Sequence, residues 1–484
     1  MEPPVFPWRI WCATAAIALV FFSFTLTTAV PVWLDESYIV EYGRVTLAGQ
    51  PPVFGFHQRS DSQRPVYTYA VLGSILQEIA FRITSPSNAG PRVMALLGQI
   101  AAFGWFLYYL RLRGLRAEFS FLLALALLID PLCDIGWRGG RVDGWAFAFL
   151  FASLCAIRKG RSGAFLGGMA ASAGLLTWPS FAMFSPLILL EFWLAVEDRS
   201  GERRGFWMPM AFFAAGGALA AATIILPFRQ EFLYGLADAK FLTALQSQMS
   251  RGDGFENQSQ FLLLSFVQTP VVIAAGFWAL AQKRNRWLLA GFIVALVFVF
   301  GTKVYRLRVL YLLPYFYLAA ASLFTEDQLH WRRARAWIIG LMLFAGAGFT
   351  LAGTTLSGLS NRAGKDPLAL IEPARSAVGD GPVRVYMQEP DFYFVGRTLG
   401  WEQFYCFDSC WGPGISTPTF QELLASMNVA IFRGEPDPVA RGVIDKLGFR
   451  FVSVMLPDGG HQNTLFGWSY GPRSYGPYFI YRRP

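Results

Sequence analysis

Apolar residues in this chain gather in long runs instead of the two-residue alternation of half-buried strands or the three-to-four spacing of surface helices. A helix needs about 17 to 25 predominantly apolar residues to cross the hydrocarbon core of a membrane. Runs near that length lie at 10–31, 92–110, 118–133, 142–157, 163–178, 180–196, 206–227, 261–281, 287–303, 307–324 and 336–356. They predict a polytopic α-helical membrane protein with about eleven transmembrane helices. Two weaker segments, 36–48 and 66–83, carry more polar groups, among them Gln77, Glu78 and Arg82, and read as helices lying along the surface in a first outer loop, 32–91.

After Gly358 the pattern changes. Short β-like runs at 383–387, 429–432, 449–454 and 478–481 alternate with helical stretches such as 420–427. The expected organisation is a transmembrane unit, 1–356, followed by a small soluble α/β domain, 357–484. In that domain Tyr386, Glu389, Asp391 and Arg397 are expected to form a polar cluster, and Cys406 and Cys410 could pair if they face an oxidising compartment.

Composition agrees with the runs and excludes an ordinary soluble enzyme. Hydrophobic residues make up 54% and charged residues 15%, against about 25% charged in soluble domains, and the mean hydropathy is +0.39. The net charge of +9 reports cytoplasmic loops and membrane-lipid contacts, and with no aromatic-basic module nucleic acid is not an expected partner. Basic residues cluster in every second connection: Arg111, Arg113 and Arg116; Arg158, Lys159 and Arg161; 199–204; Lys283, Arg284 and Arg286; Arg332, Arg333 and Arg335. The positive-inside rule puts these in the cytoplasm. The loop 32–91, the loop 228–260 and the segment from 357 then lie outside, with 228–260 long and polar enough to act as a lid.

Chemistry is suggested first by Asp35 and Glu36, which follow directly on the first apolar run. Two acids at a membrane interface serve either as a general base with a neighbour that binds metal or orients substrate, or as caps for the helix that follows. Asp143, beside Arg138 and Arg141, could hold a sugar or be a structural ion pair. Lys303, Arg306 and Arg308 fall on the outer side, against the charge bias, where they either bind an anion or anchor helix ends by snorkelling. Trp33, Tyr38, Trp137 and Tyr305 fit belt positions or sugar stacking. Asp61 with His57 is a weaker metal-ligand candidate.

The run Asp35-Glu36-Ser37-Tyr38, then Tyr42-Gly43-Arg44 and Gly49-Gln50-Pro51-Pro52, resembles the first-loop signature of the GT-C membrane glycosyltransferases, with the tyrosine one residue early. These include the aminoarabinose transferases of lipid A, the protein O-mannosyltransferases and the rhizobial galacturonosyltransferases. Arg64-Pro65-Val66-Tyr67 resembles the family's second interfacial helix, Pro91-Arg92-Val93 the start of its next span, and Arg141-Val142-Asp143 a recurring Arg-x-Asp. The segment 176–180 also matches, although Trp178 stands where many relatives have lysine.

The resemblance implies an inverting enzyme that moves a sugar from a polyprenyl-phosphate donor to a glycan or glycolipid acceptor of the cell envelope, on the extracytoplasmic side of a bacterial inner membrane. It implies Asp35 and Glu36 as catalytic residues. Lys303, Arg306 and Arg308 would bind the donor phosphate, and Tyr38, Arg64, Arg138, Arg141 and Asp143 the substrates. A divalent metal ion would have Glu36 at most as ligand. The alternatives are a transporter or flippase of lipid-linked sugars and a non-catalytic assembly protein.

Overall fold

The structure is a computed structural model that describes residues 5–49, 70–200, 206–230, 233, 255–301, 306–324, 332–360, 362–405, 417–458, 463–465, 468–470 and 474–484. Arg64, His57, Asp61, Lys303, Tyr305, Cys406, Cys410 and most of the expected lid therefore lie outside the described residues.

Each apolar run falls mainly on helix. The helices are α1 (Trp8–Ser23), α2 (Leu34–Ala48), α3 (Val71–Thr84), α4 (Ala89–Leu112), α5 (Ala117–Leu128), α6 (Pro131–Arg138), α7 (Asp143–Ile157), α8 (Arg161–Thr177), α9 (Ser185–Ser200) and α10 (Trp207–Ile225). They continue through α11 (Phe255–Phe266), α12 (Pro270–Leu280), α13 (Arg286–Gly301), α14 (Arg306–Val309), α15 (Leu313–Ser322) and α16 (Arg332–Gly346).

Not every run is one straight span. Among the described residues two helices, Ala89–Leu112 and Trp207–Phe228, are long and apolar enough to cross a membrane, or up to three if α5 and α6, bent by 49°, are counted as one. Six others are apolar but shorter. The breaks have a common cause. Pro131, Pro179 and Pro270 each stand at the start of a new helix, where a missing N–H costs nothing, whereas further inside it would remove a hydrogen bond. The buried surfaces of α4 to α7, α9, α12, α13, α15 and α16 form one continuous apolar core.

The two weaker segments of the sequence fall on the helices α2 and α3, which pack closely on each other. A Cβ on Gly43 would come within 2.1 Å of the Ser74 carbonyl oxygen, so only glycine allows this approach.

The C-terminal segment contains α17 (Thr355–Leu359), α18 (Ile371–Val378), α19 (Tyr393–Leu399), α20 (Thr417–Ala425) and α21 (Pro438–Lys446). Its five-stranded sheet has β1 (Arg384–Met387), β2 (Glu402–Tyr405), β3 (Val429–Arg433), β4 (Arg450–Met455) and a last strand, Tyr478–Arg482. In sheet order these run β2, β1, β3, the last strand, β4. The first three are parallel, and the last strand is antiparallel to β3 and to β4.

Alternation along each strand separates two cores. Tyr386, Ala430, Phe432 and Tyr481 meet α20 and α21 on one face. Val385, Met387, Val429, Ile431 and Ile480 meet α18 and α19 on the other, and that core also takes in Val40, Tyr42, Val45, Val71 and Phe81 of α2 and α3. The helices of the first loop and the C-terminal sheet are thus built around one shared apolar interior. The polar cluster expected at Tyr386, Glu389, Asp391 and Arg397 is dispersed: Tyr386 lies in the core beneath α20, Asp391 pairs with Tyr478 and Arg433, and Arg397 turns to Glu78.

Candidate active site

Asp35 occupies the second position of α2, and its side chain keeps 36% of its surface exposed. Both first-turn acids suit the helix dipole, but their surroundings differ.

Glu36 is fully buried and faces α4. Its Oε1 accepts from Arg92 Nε at 3.0 Å and Asn88 Nδ2 at 3.3 Å, and its Oε2 from Arg92 Nη2 at 2.9 Å and the Trp33 backbone N–H at 3.5 Å. Arg92 is fully buried too, and it also donates to the carbonyls of Leu26, Val30 and Pro31 at 3.0, 2.7 and 3.0 Å. All five guanidinium N–H groups are thereby used. The positive charge beside Glu36 is supplied by this arginine, and both carboxylate oxygens already hold donors.

Asp35 turns the other way, to the connection between α6 and α7, and accepts from Arg141 Nη1. Arg141 is 6% exposed and forks onto Asp143, with Nε to Oδ2 at 2.7 Å and Nη2 to Oδ1 at 3.2 Å. Tyr311 completes the group by donating its phenol to Asp143 Oδ1 at 2.7 Å. The guanidinium also lies over the ring of Trp178, 4.8 Å from its centroid. Burial disfavours the charge on Arg141, but Asp143 and Asp35 outweigh it and raise its pKa. Two carboxylates around one guanidinium leave the group with one net negative charge.

The connection carrying Arg141 is fixed from several directions. The Arg141 N–H bonds the Gly136 carbonyl at 3.1 Å, and Gln77 of α3 donates to the Gly140 carbonyl at 2.9 Å. Gly140 has φ of +65°, and a Cβ there would meet Glu36 Cγ at 2.6 Å. Only glycine accepts both the left-handed backbone and the contact.

The other expected site residues separate. Arg138 is fully buried, bonded to Asp134 at 2.8 Å and Thr25 at 3.1 Å, with the rings of Phe22 and Trp137 against its guanidinium; it ties α6 to the end of the first apolar run. Tyr38 is partly buried against the core shared with the C-terminal sheet. Arg306 begins α14, and Arg308, in the same helix, is half-buried. Three residues beyond Arg308 the chain delivers Tyr311 to Asp143, and a Cβ on Gly136 would stand 3.7 Å from Leu310. Asp35 and the segment after Arg308 thus meet the same structural group by way of Tyr311, Asp143 and Arg141.

Sequence reasoning missed that Arg92 holds Glu36 and that Tyr311 holds Asp143. Arg92 stands in a segment with a family resemblance and Tyr311 follows directly on the basic stretch, yet a partner from another helix is visible only after folding.

No protein-family model matches the sequence, and no curated protein matches it. Solved structures do. ArnT from Cupriavidus metallidurans in the apo state aligns over 98% of this chain and 98% of its own, at 12% identity with a TM-score of 0.60. The same protein bound to undecaprenyl phosphate aligns over 99% and 98%, at 13% identity and 0.59. The arabinofuranosyltransferase AftD from Mycobacteria aligns over 100% of this chain but 42% of its own, at 15% identity and 0.52. The chain shares the fold of these proteins.

Proposed function

We propose that this chain is an inverting glycosyltransferase that moves a sugar from a polyprenyl-phosphate donor to a hydroxyl of a cell-envelope glycan or glycolipid on the extracytoplasmic face of the membrane. The observation that carries this reading is a partly exposed carboxylate, Asp35, held against a buried Arg141–Asp143–Tyr311 group. The fold supports it, since ArnT has been solved with undecaprenyl phosphate bound.

An acceptor hydroxyl is a weak nucleophile and needs a base within hydrogen-bond reach. Asp35 takes the hydroxyl proton as the oxygen attacks the anomeric carbon. The new glycosidic C–O bond forms while the bond from the anomeric carbon to the phosphate oxygen breaks, and the lipid phosphate leaves with that electron pair. Lys303, Arg306 and Arg308 stabilise the charge that develops on the phosphate, while Arg141, held by Asp143, orients Asp35. A single displacement inverts the anomeric centre. Glu36 has a supporting role here, keeping Arg92 in place, and Arg138 secures α6.

The test uses the purified full-length protein in lipid nanodiscs with a polyprenyl-phosphate sugar, comparing wild type with Asp35→Asn. Transfer should fall by about 10²–10⁴-fold with donor binding retained, the range that loss of a positioned base accounts for. Donor translocation that survives the substitution, with no transfer in the wild type, would identify a transporter instead.

A further inference from the structure

The residue that places the base comes from the far end of the chain. Between the end of α1 at Ser23 and the start of α2 at Leu34 the backbone is irregular, and the orientation of Asp35 depends on how residues 30–33 are held. Their polar groups are held by side chains from elsewhere. Arg92 binds the carbonyls of Val30 and Pro31, and Glu36 accepts from the Trp33 N–H. Between these, the Val32 N–H donates to the hydroxyl of Tyr475 at 2.9 Å, a contact across 443 positions of sequence.

Tyr475 is 1% exposed and is itself fixed at both ends. Its own N–H bonds the Gly364 carbonyl at 2.9 Å, and three residues after it the chain enters the last strand, where Tyr478 donates to Asp391. Its ring and Val32 belong to the apolar core that the first-loop helices share with the C-terminal sheet.

The geometry points to Tyr475 as a positioning residue for Asp35, so that the C-terminal segment forms part of the active site. The inference rests on the transfer reading above. A base must keep its place to within a fraction of an ångström, and a displacement of about 1 Å costs on the order of a hundredfold in rate. Tyr475 touches no reacting atom. It acts on the segment that leads into the first turn of α2, three residues before Asp35.

The experiment compares full-length wild type, Asp35→Asn, Tyr475→Phe and Tyr481→Phe in nanodiscs, measuring kcat, the donor KM and the unfolding temperature. Phenylalanine keeps the Tyr475 ring and removes only the acceptor for Val32. We expect kcat of Tyr475→Phe to fall between about ten- and a hundredfold with the donor KM within twofold of wild type, while Tyr481→Phe, altered in the same segment but on the sheet face beneath α20 and α21, keeps its kcat. An unchanged kcat in Tyr475→Phe, or an equal loss in both tyrosine variants, overturns the inference while leaving Asp35 as base. Absence of transfer in the wild type removes the reading beneath it, a result that the Asp35→Asn comparison separates from the other two.

Discussion

Tyr311 donates its hydroxyl to Asp143 at 2.7 Å, and through that bond the chain that follows the basic stretch 303–308 is attached to the group that holds Asp35. Removing the hydroxyl in Tyr311→Phe leaves the Arg141–Asp143 fork in place but takes one donor from a carboxylate that is 2% exposed. Hydrogen bonds to charged groups contribute about 1.5–3 kcal/mol, and about 1.4 kcal/mol is a factor of ten. Transfer by Tyr311→Phe should therefore drop on the order of ten- to a hundredfold, measured as kcat/KM for the donor. A rate equal to wild type would separate Tyr311 from the site's function.

Glu36 and Arg92 form an ion pair in which both side chains are fully buried. Removing one partner of such a pair costs about 3–5 kcal/mol, because the other charge is left without compensation. Glu36→Gln should lower the unfolding temperature clearly, and the double variant Glu36→Gln with Arg92→Met should lower it by less than the sum of the two single changes. If Glu36 acted chiefly in the chemistry, the single variant would keep its stability and lose its rate. Denaturation monitored in nanodiscs, alongside transfer, distinguishes the two.

Arg397 of α19 binds Glu78 of α3 through two bonds of 2.6 and 3.1 Å, and Tyr393 donates to Glu41 of α2 at 2.9 Å. Burial disfavours the Arg397 charge, but Tyr393 and Glu78 outweigh it and raise its pKa. Arg397→Ala leaves the Glu78 carboxylate buried, with Arg82 at 2.8 Å as its remaining ion-pair partner. Hydrogen exchange should then speed up in both 71–84 and 393–399, since the two surfaces hold each other. Faster exchange confined to 393–399 would show that the C-terminal sheet does not order the first-loop helices.

Much of the architecture was legible because it follows from local pattern. Apolar runs became helices, the two weaker segments of the first loop became α2 and α3, and alternation after Gly358 located four of the strands. Helix breaks were less legible, since a run of apolar residues reads continuously across Pro131 or Pro270 while the backbone starts afresh there. The dispersal of Tyr386, Asp391 and Arg397 has a similar origin. Neighbours in a strand point to opposite faces and neighbours in a helix are turned about 100° apart, so closeness in sequence does not make a cluster.

The amino-acid sequence by itself determined that apolar helices dominate the chain and that an α/β segment follows them, because composition and periodicity are properties of neighbouring residues; Asp35, Arg141 and Asp143 became candidates through their places beside apolar runs and a family resemblance. Tertiary structure alone decided which acid is available. Asp35 and Glu36 are adjacent and chemically alike, but successive helical positions are turned about 100° apart, so one meets Arg141 with part of its surface open and the other is enclosed by Arg92. That division rests on partners 56 and 106 positions away in sequence, a distance over which no local pattern carries information.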